Sequence, residues 1–179
     1  KHMKKYLFLL SLIPYWLIAQ QDAYLSNYQY QMSLINPAYV GSEGQHSFVF
    51  TSRNQWAKIE DSPKTIAFTY STERGKNVGL GLSVVSDQIF VEKQTQVNID
   101  FSYKLTFSNT SLLYFGIKAG GNSYRSDPEG LNSYTAFDPL KKALSRFNPN
   151  IGIGTYFKSE TFCISASMPR LFEPKRDDD

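Results

Sequence analysis

Acid–base or nucleophilic chemistry needs an imidazole, thiol or hydroxyl beside a partner that can take its proton, and this sequence is poor in such partners. Only two histidines occur, His2 and His46, and His2 lies in an appended remnant ahead of Met3. A Ser-His or Cys-His pair, or a histidine-based metal site, cannot be assembled from them. Cys163 is the single cysteine, which excludes an intramolecular disulfide. Glu60-Asp61 and Asp177-Asp178-Asp179 read as solvated loop charge rather than a carboxylate pair or calcium site. Gly79-x-Gly81 lacks the third glycine and the strand-turn-helix setting of a dinucleotide site, and reads as strand glycine making room for lumen side chains. The expectation is a protein that is not an enzyme, with no catalytic residue, no cofactor, no metal and no small-molecule substrate.

The elements available to position such residues are an apolar N-terminal segment and a long, two-faced region after it. Lys4 and Lys5 precede an apolar run from Tyr6 to Ile18, and Ala19 is a small residue that could precede cleavage. That run is shorter than the roughly 20 residues a membrane-spanning helix needs. Residues 1–19 are therefore expected to be the remnant plus a signal peptide, and the protein to be exported. The formal net charge is +3; removing Lys1, Lys4 and Lys5 with the leader gives +3 − 3 = 0. A nucleic-acid footprint, which rests on clustered Lys and Arg, is not expected.

From residue 46 onward the hydrophobic period is two. Seven segments alternate: His46–Asn54, Lys64–Thr72, Asn77–Ser86, Thr95–Leu105, Leu112–Gly121, Asn150–Lys158 and Thr161–Met168. In Thr95–Leu105, Val97, Ile99, Phe101, Tyr103 and Leu105 share one side, while Asn98, Asp100, Ser102 and Lys104 share the other. Such lengths approach the roughly 9–11 residues with which a tilted strand crosses a bilayer. The connections between them alternate long and short, as in up-and-down barrels with short periplasmic turns and longer outer loops. The longest is expected over Asn122–Pro149.

The expected fold is all-β: an antiparallel up-and-down transmembrane β-barrel, of which residues 46–179 supply about seven strands. Single-chain barrels have even strand numbers, so the sequence reads as the N-terminal part of a larger one. Residues 20–45 are expected to be a periplasmic or lumen-packed N-terminal segment. Within it, Asn36-Pro37-Ala38-Tyr39-Val40-Gly41 reads as a fixed turn, because Pro37 keeps Asn36 out of the helical region and Gly41 permits positive φ. It is a structural staple, or else a periplasmic contact or lumen plug. Trp56 falls where an aromatic girdle is expected. Arg53, Asp100, Lys104 and Lys118 fall on the polar face, where opposite charges can neutralise one another, and Cys163 falls there as a small lumen residue.

The order of several short strings resembles the PorP/SprF family, outer-membrane proteins of the type IX secretion system of Bacteroidetes. They are Gln21-Asp22 with Tyr24, Tyr28 and Tyr30; Ile35-Asn36-Pro37-Ala38-Tyr39-Val40-Gly41; Arg53-x-Gln55-Trp56; Ser62-Pro63-Lys64-Thr65; Asn77-Val78-Gly79-Leu80-Gly81-Leu82; Gly116-Ile117-Lys118-Ala119-Gly120; Pro149-Asn150-Ile151-Gly152; and Ser167-Met168-Pro169. Asp61 stands where the family often has Gly. The resemblance implies an outer-membrane accessory barrel that supports secretion or surface attachment of a particular cargo, such as a gliding adhesin. Its partners would be that cargo, other secretion components and outer-membrane lipid. The alternatives from the residues themselves are a diffusion porin and a soluble secreted β-domain. Candidate contacts lie around Trp56, Asp87 and Tyr124–Asn148.

Overall fold

A computed structural model describes residues 28–56, 58–59, 61–108, 110–127 and 143–172. The expected leader and the Asp177–Asp179 run lie outside the described residues. Seven strands succeed one another along the chain: β1 (Ser47–Asn54), β2 (Lys64–Arg74), β3 (Val78–Ile89), β4 (Glu92–Ser108), β5 (Ser111–Ser126), β6 (Leu144–Ser159) and β7 (Cys163–Met168). Each pairs antiparallel with the next, in the sheet order β1-β2-β3-β4-β5-β6-β7, giving an up-and-down half-barrel. The all-β expectation and all seven strands are observed. Among the described residues no helix is long and apolar enough to cross a membrane.

The register turns the period-two pattern into two chemically different faces. Tyr70, Leu82, Ile99, Ala119 and Ile151 are successive cross-strand partners on the convex side. One residue along, Ser71, Gly81, Asp100, Lys118 and Gly152 are partners on the concave side. The convex row leaves Ile99 63% exposed, whereas Asp100 is fully buried. A water-soluble protein buries its greasy face; here the greasy face is the open one.

The connections differ from the expected alternation. β3 and β4 continue past their apolar stretches through the polar pairs Asp87↔Gln94 and Gln88↔Lys93, leaving only Phe90 and Val91 between them. β5 and β6 likewise stay paired from Asn122↔Asn148 to Ser126↔Leu144, so the expected Asn122–Pro149 loop gives up its first five and last six residues to strands. A ladder needs only backbone groups, so it extends where the hydrophobic signal has ended. Pro149 is tolerated inside β6 because the flanking odd-numbered residues face β7: Ile151 accepts from Leu171 N–H at 2.8 Å. The ladder with β7 begins only at Ile153↔Met168, so the N–H that Pro149 lacks has no ladder partner to lose.

Before β1 the chain makes a helical turn at Met32–Ile35 and a 3-10 turn at Pro37–Tyr39. Asn36 between them is extended, at φ −128° and ψ 111°, as a residue before proline must be. Gly41 takes φ +75°.

Candidate functional site

The concave face carries three neighbouring cross-strand rows. The middle one joins Glu73, Gly79, Ser102, Gly116, Gly154 and Ser167 on six consecutive strands. Three glycines and two serines in one row make a trench with almost no side-chain floor. One bank is the row with Asp100 and Lys118; the other contains Lys104, Tyr114, Tyr156 and Ser165.

The N-terminal segment lies along this trench, across the strands. A Cβ on Gly154 would overlap the Asn36 carboxamide, one on Gly116 would overlap Ala38 N and Pro37 C, and one on Gly79 would overlap the Val40 carbonyl. Gly79 therefore makes room mainly for main chain, where the sequence pointed to lumen side chains. Asn36, Ala38 and Val40 are fully buried. Because the segment crosses the strands, it cannot join their ladder, and its polar groups must be answered individually. Lys118 Nζ donates to Ser33 O at 3.0 Å and Ser167 Oγ to Ile35 O at 3.0 Å. Ser102 Oγ donates to Val40 O and Lys158 Nζ to Ser42 O at 3.4 Å. Gly41 N–H donates to Ser71 Oγ at 2.9 Å. Asn36 works both ways: its Oδ1 accepts from Ala38 N–H at 2.9 Å, while Nδ2 donates to Thr155 O and Ser165 Oγ, each at 2.8 Å.

Two ion pairs flank the trench. Asp100 and Lys118 face each other in register at 2.9 Å, both side chains 1% exposed. Lys104 pairs with Glu73 near the short-turn end, each 21% exposed. The buried pair is a fixed bracket rather than a loose surface contact, since removing charges from water is unfavourable unless they are paired. Tyr39 stacks edge-on against Tyr156 at a 5.2 Å centroid distance and donates to Glu43 at 2.8 Å. Burial, then the Glu43 carboxylate, push the Tyr39 hydroxyl well above the usual phenol range. It stays neutral and keeps its proton for that bond.

The structure thus brings together Asn36, Pro37, Ala38, Tyr39, Gly41, Asp100 and Lys118, with Lys104 on the bank. Arg53, Trp56 and Pro63 stand apart, at the opposite end of the sheet. Arg53 is half-buried on the concave side of β1, and Pro63 O accepts from Gln55 N–H at 3.0 Å. Trp56 is 68% exposed with φ +52°, and Asp61 and Phe90 are also left-handed at +58° and +56°. Phe90 N–H donates to Asp61 O at 3.3 Å, tying the two loops together. Cys163 shares the concave side with Ser165, but it is exposed on the edge strand.

Sequence reasoning missed Ser71, Ser102, Lys158 and Ser167 as partners of the segment. The available signal was the recurrence of Gly and Ser on the polar side of β3, β5, β6 and β7, with Ser102 on β4, which becomes a trench only once the register is known. Among the described residues, no group of three or more His, Cys, Asp or Glu side chains could hold a metal ion.

An up-and-down sheet with a greasy convex face and a polar, occupied concave face defines a membrane protein of the β-barrel class. The family model described as "Type IX secretion system membrane protein PorP/SprF" matches residues 17–179. The chain belongs to the PorP/SprF family. Searches of curated proteins and of solved structures give no significant match.

Proposed function

We propose that the protein is an outer-membrane accessory barrel of type IX secretion, supporting the secretion or surface attachment of a specific cargo such as a gliding adhesin. The observation that carries the membrane placement is the inversion of the two faces. Phe101, Ile117 and Ile99 lie 44%, 55% and 63% exposed on one side, while Asp100 and Lys118 are sealed on the other. Hydrocarbon would cover the first side, and the spanning backbone groups would be answered between neighbouring strands, apart from the outer edges of β1 and β7. The family supports a role in secretion, and cargo is the proposed addition to it. A signal peptide over residues 3–19 would export the chain. Residues 20–45 would be the lumen-packed segment and residues 46–179 part of the barrel wall.

The outer end of the sheet is the proposed cargo-facing surface, with Trp56, Asp87 near the outer end of β3, and the connection that follows Ser126 and precedes Leu144 as contacts. Outer membranes from a strain carrying tagged full-length protein supply the test. Detergent-dependent extraction and co-purification of secretion components with a surface protein are expected. Recovery in the aqueous phase without detergent, or a pull-down free of secretion components, would reject the reading. Planar-bilayer recordings separate it from a diffusion porin, for which large steady open channels are expected.

A further inference from the structure

We infer that the trench is a binding site for peptide main chain, and that residues 33–42 are its resident ligand rather than a part of the wall. The wall's grip falls on groups that every peptide has. Lys118, Ser167, Ser102 and Lys158, from four different strands, each hold one main-chain carbonyl of the segment. Ala38 and Tyr39, packed against Tyr114 and Tyr156, add side-chain contact to this grip.

Selectivity rests on three consecutive residues. Asn36 supplies a carboxamide that reaches a strand carbonyl and a hydroxyl, Thr155 O and Ser165 Oγ. Pro37 has no N–H, so nothing is left unanswered where the floor is bare glycine. Ala38 presses its main chain onto Gly116, which cannot carry a Cβ, and its own side chain is fully buried beside Tyr114 and Tyr156, which leaves no space for a larger one. The ligand class is therefore a neutral peptide with an Asn-Pro-small turn, laid across the strands. This inference concerns the concave face alone and does not rest on the proposed cargo role.

The test uses full-length protein in detergent with a protease site inserted after Gln45, which is exposed. After folding and cleavage, the released segment is expected to stay with the barrel until an excess of a synthetic peptide of residues 28–44 displaces it. A labelled copy should then exchange into the trench. The same peptide carrying Ala38→Leu should bind at least about tenfold more weakly, and so should the native peptide offered to cut Gly116→Val protein. Folded state is followed in parallel by heat-modified electrophoretic mobility. Three results would overturn the inference: unfolding of the barrel on cleavage, no exchange into a barrel that stays folded, or equal binding of the native and Ala38→Leu peptides.

Discussion

Replacing Lys118 with methionine tests the bracket that fixes the segment. The substitution keeps an unbranched side chain one atom shorter and removes its charge. Asp100 is then left 1% exposed without its counter-ion, and neither of its oxygens takes a hydrogen bond from the described residues. Ser33 O loses its donor at the same time. Removing one partner of a buried pair is strongly destabilising, by on the order of 3–5 kcal/mol. Asp100→Asn leaves the equally buried Lys118 ammonium without its counter-ion, so a loss of the same order, about 3–5 kcal/mol, is expected, toward the lower end because Lys118 keeps its bond to Ser33 O. The double variant should recover at least about 2 kcal/mol relative to the sum, since the two changes share one interaction. The assay is urea unfolding of the four proteins in lipid vesicles, followed by Trp56 fluorescence. If both single changes lie below about 1 kcal/mol and add without coupling, the pair behaves as a solvated one, and the sealed concave face is wrong.

Other perturbations separate the two faces and the loops. Ile99→Arg, on the convex side, should lower stability in vesicles by about 2–4 kcal/mol if that position faces the bilayer midplane, measured in the same unfolding assay. Asn36→Ala removes a turn-capping oxygen and two donated bonds, and a loss of about 2–4 kcal/mol is expected from these bonds together. Phe90→Gly should be neutral or stabilising by about 1 kcal/mol, because a left-handed backbone suits glycine and Phe90 is a half-exposed turn residue. A clear loss there would mean that the ring makes contacts worth more than its backbone strain.

The period-two alternation was enough to place every strand, because each apolar side chain reports the face on which it stands. It was weaker at the outer ends. The pairs Asp87↔Gln94 and Gln88↔Lys93 satisfy a ladder without greasy side chains, so strand and loop look alike in the sequence there. The fixed turn at Asn36–Gly41 was legible from Pro37 and Gly41, whose ring and missing Cβ constrain the backbone locally. Its seat was not. Gly79, Gly116 and Gly154 lie on different strands, and only the register makes them neighbours. Ser102 and Ser167 likewise show no local sign of binding anything. The charges on the polar face were legible as a set, while the direct facing of Asp100 and Lys118 comes from the β4–β5 pairing.

Asn36 reaches Ser165 across a sequence separation of 129, and Ile35 reaches Ser167 across 132. The N-terminal end of this region therefore has partners that are synthesised more than a hundred residues later. Such contacts of high order form slowly, because the intervening loop must close before any reward is gained. Until β7 is laid down, the Asn36 carboxamide keeps only one of its two strand acceptors, and the Ile35 carbonyl has no hydroxyl. Completion of the seventh strand is thus the last tightening step for Asn36 and Ile35, whose neighbours are already held by β2, β4, β5 and β6.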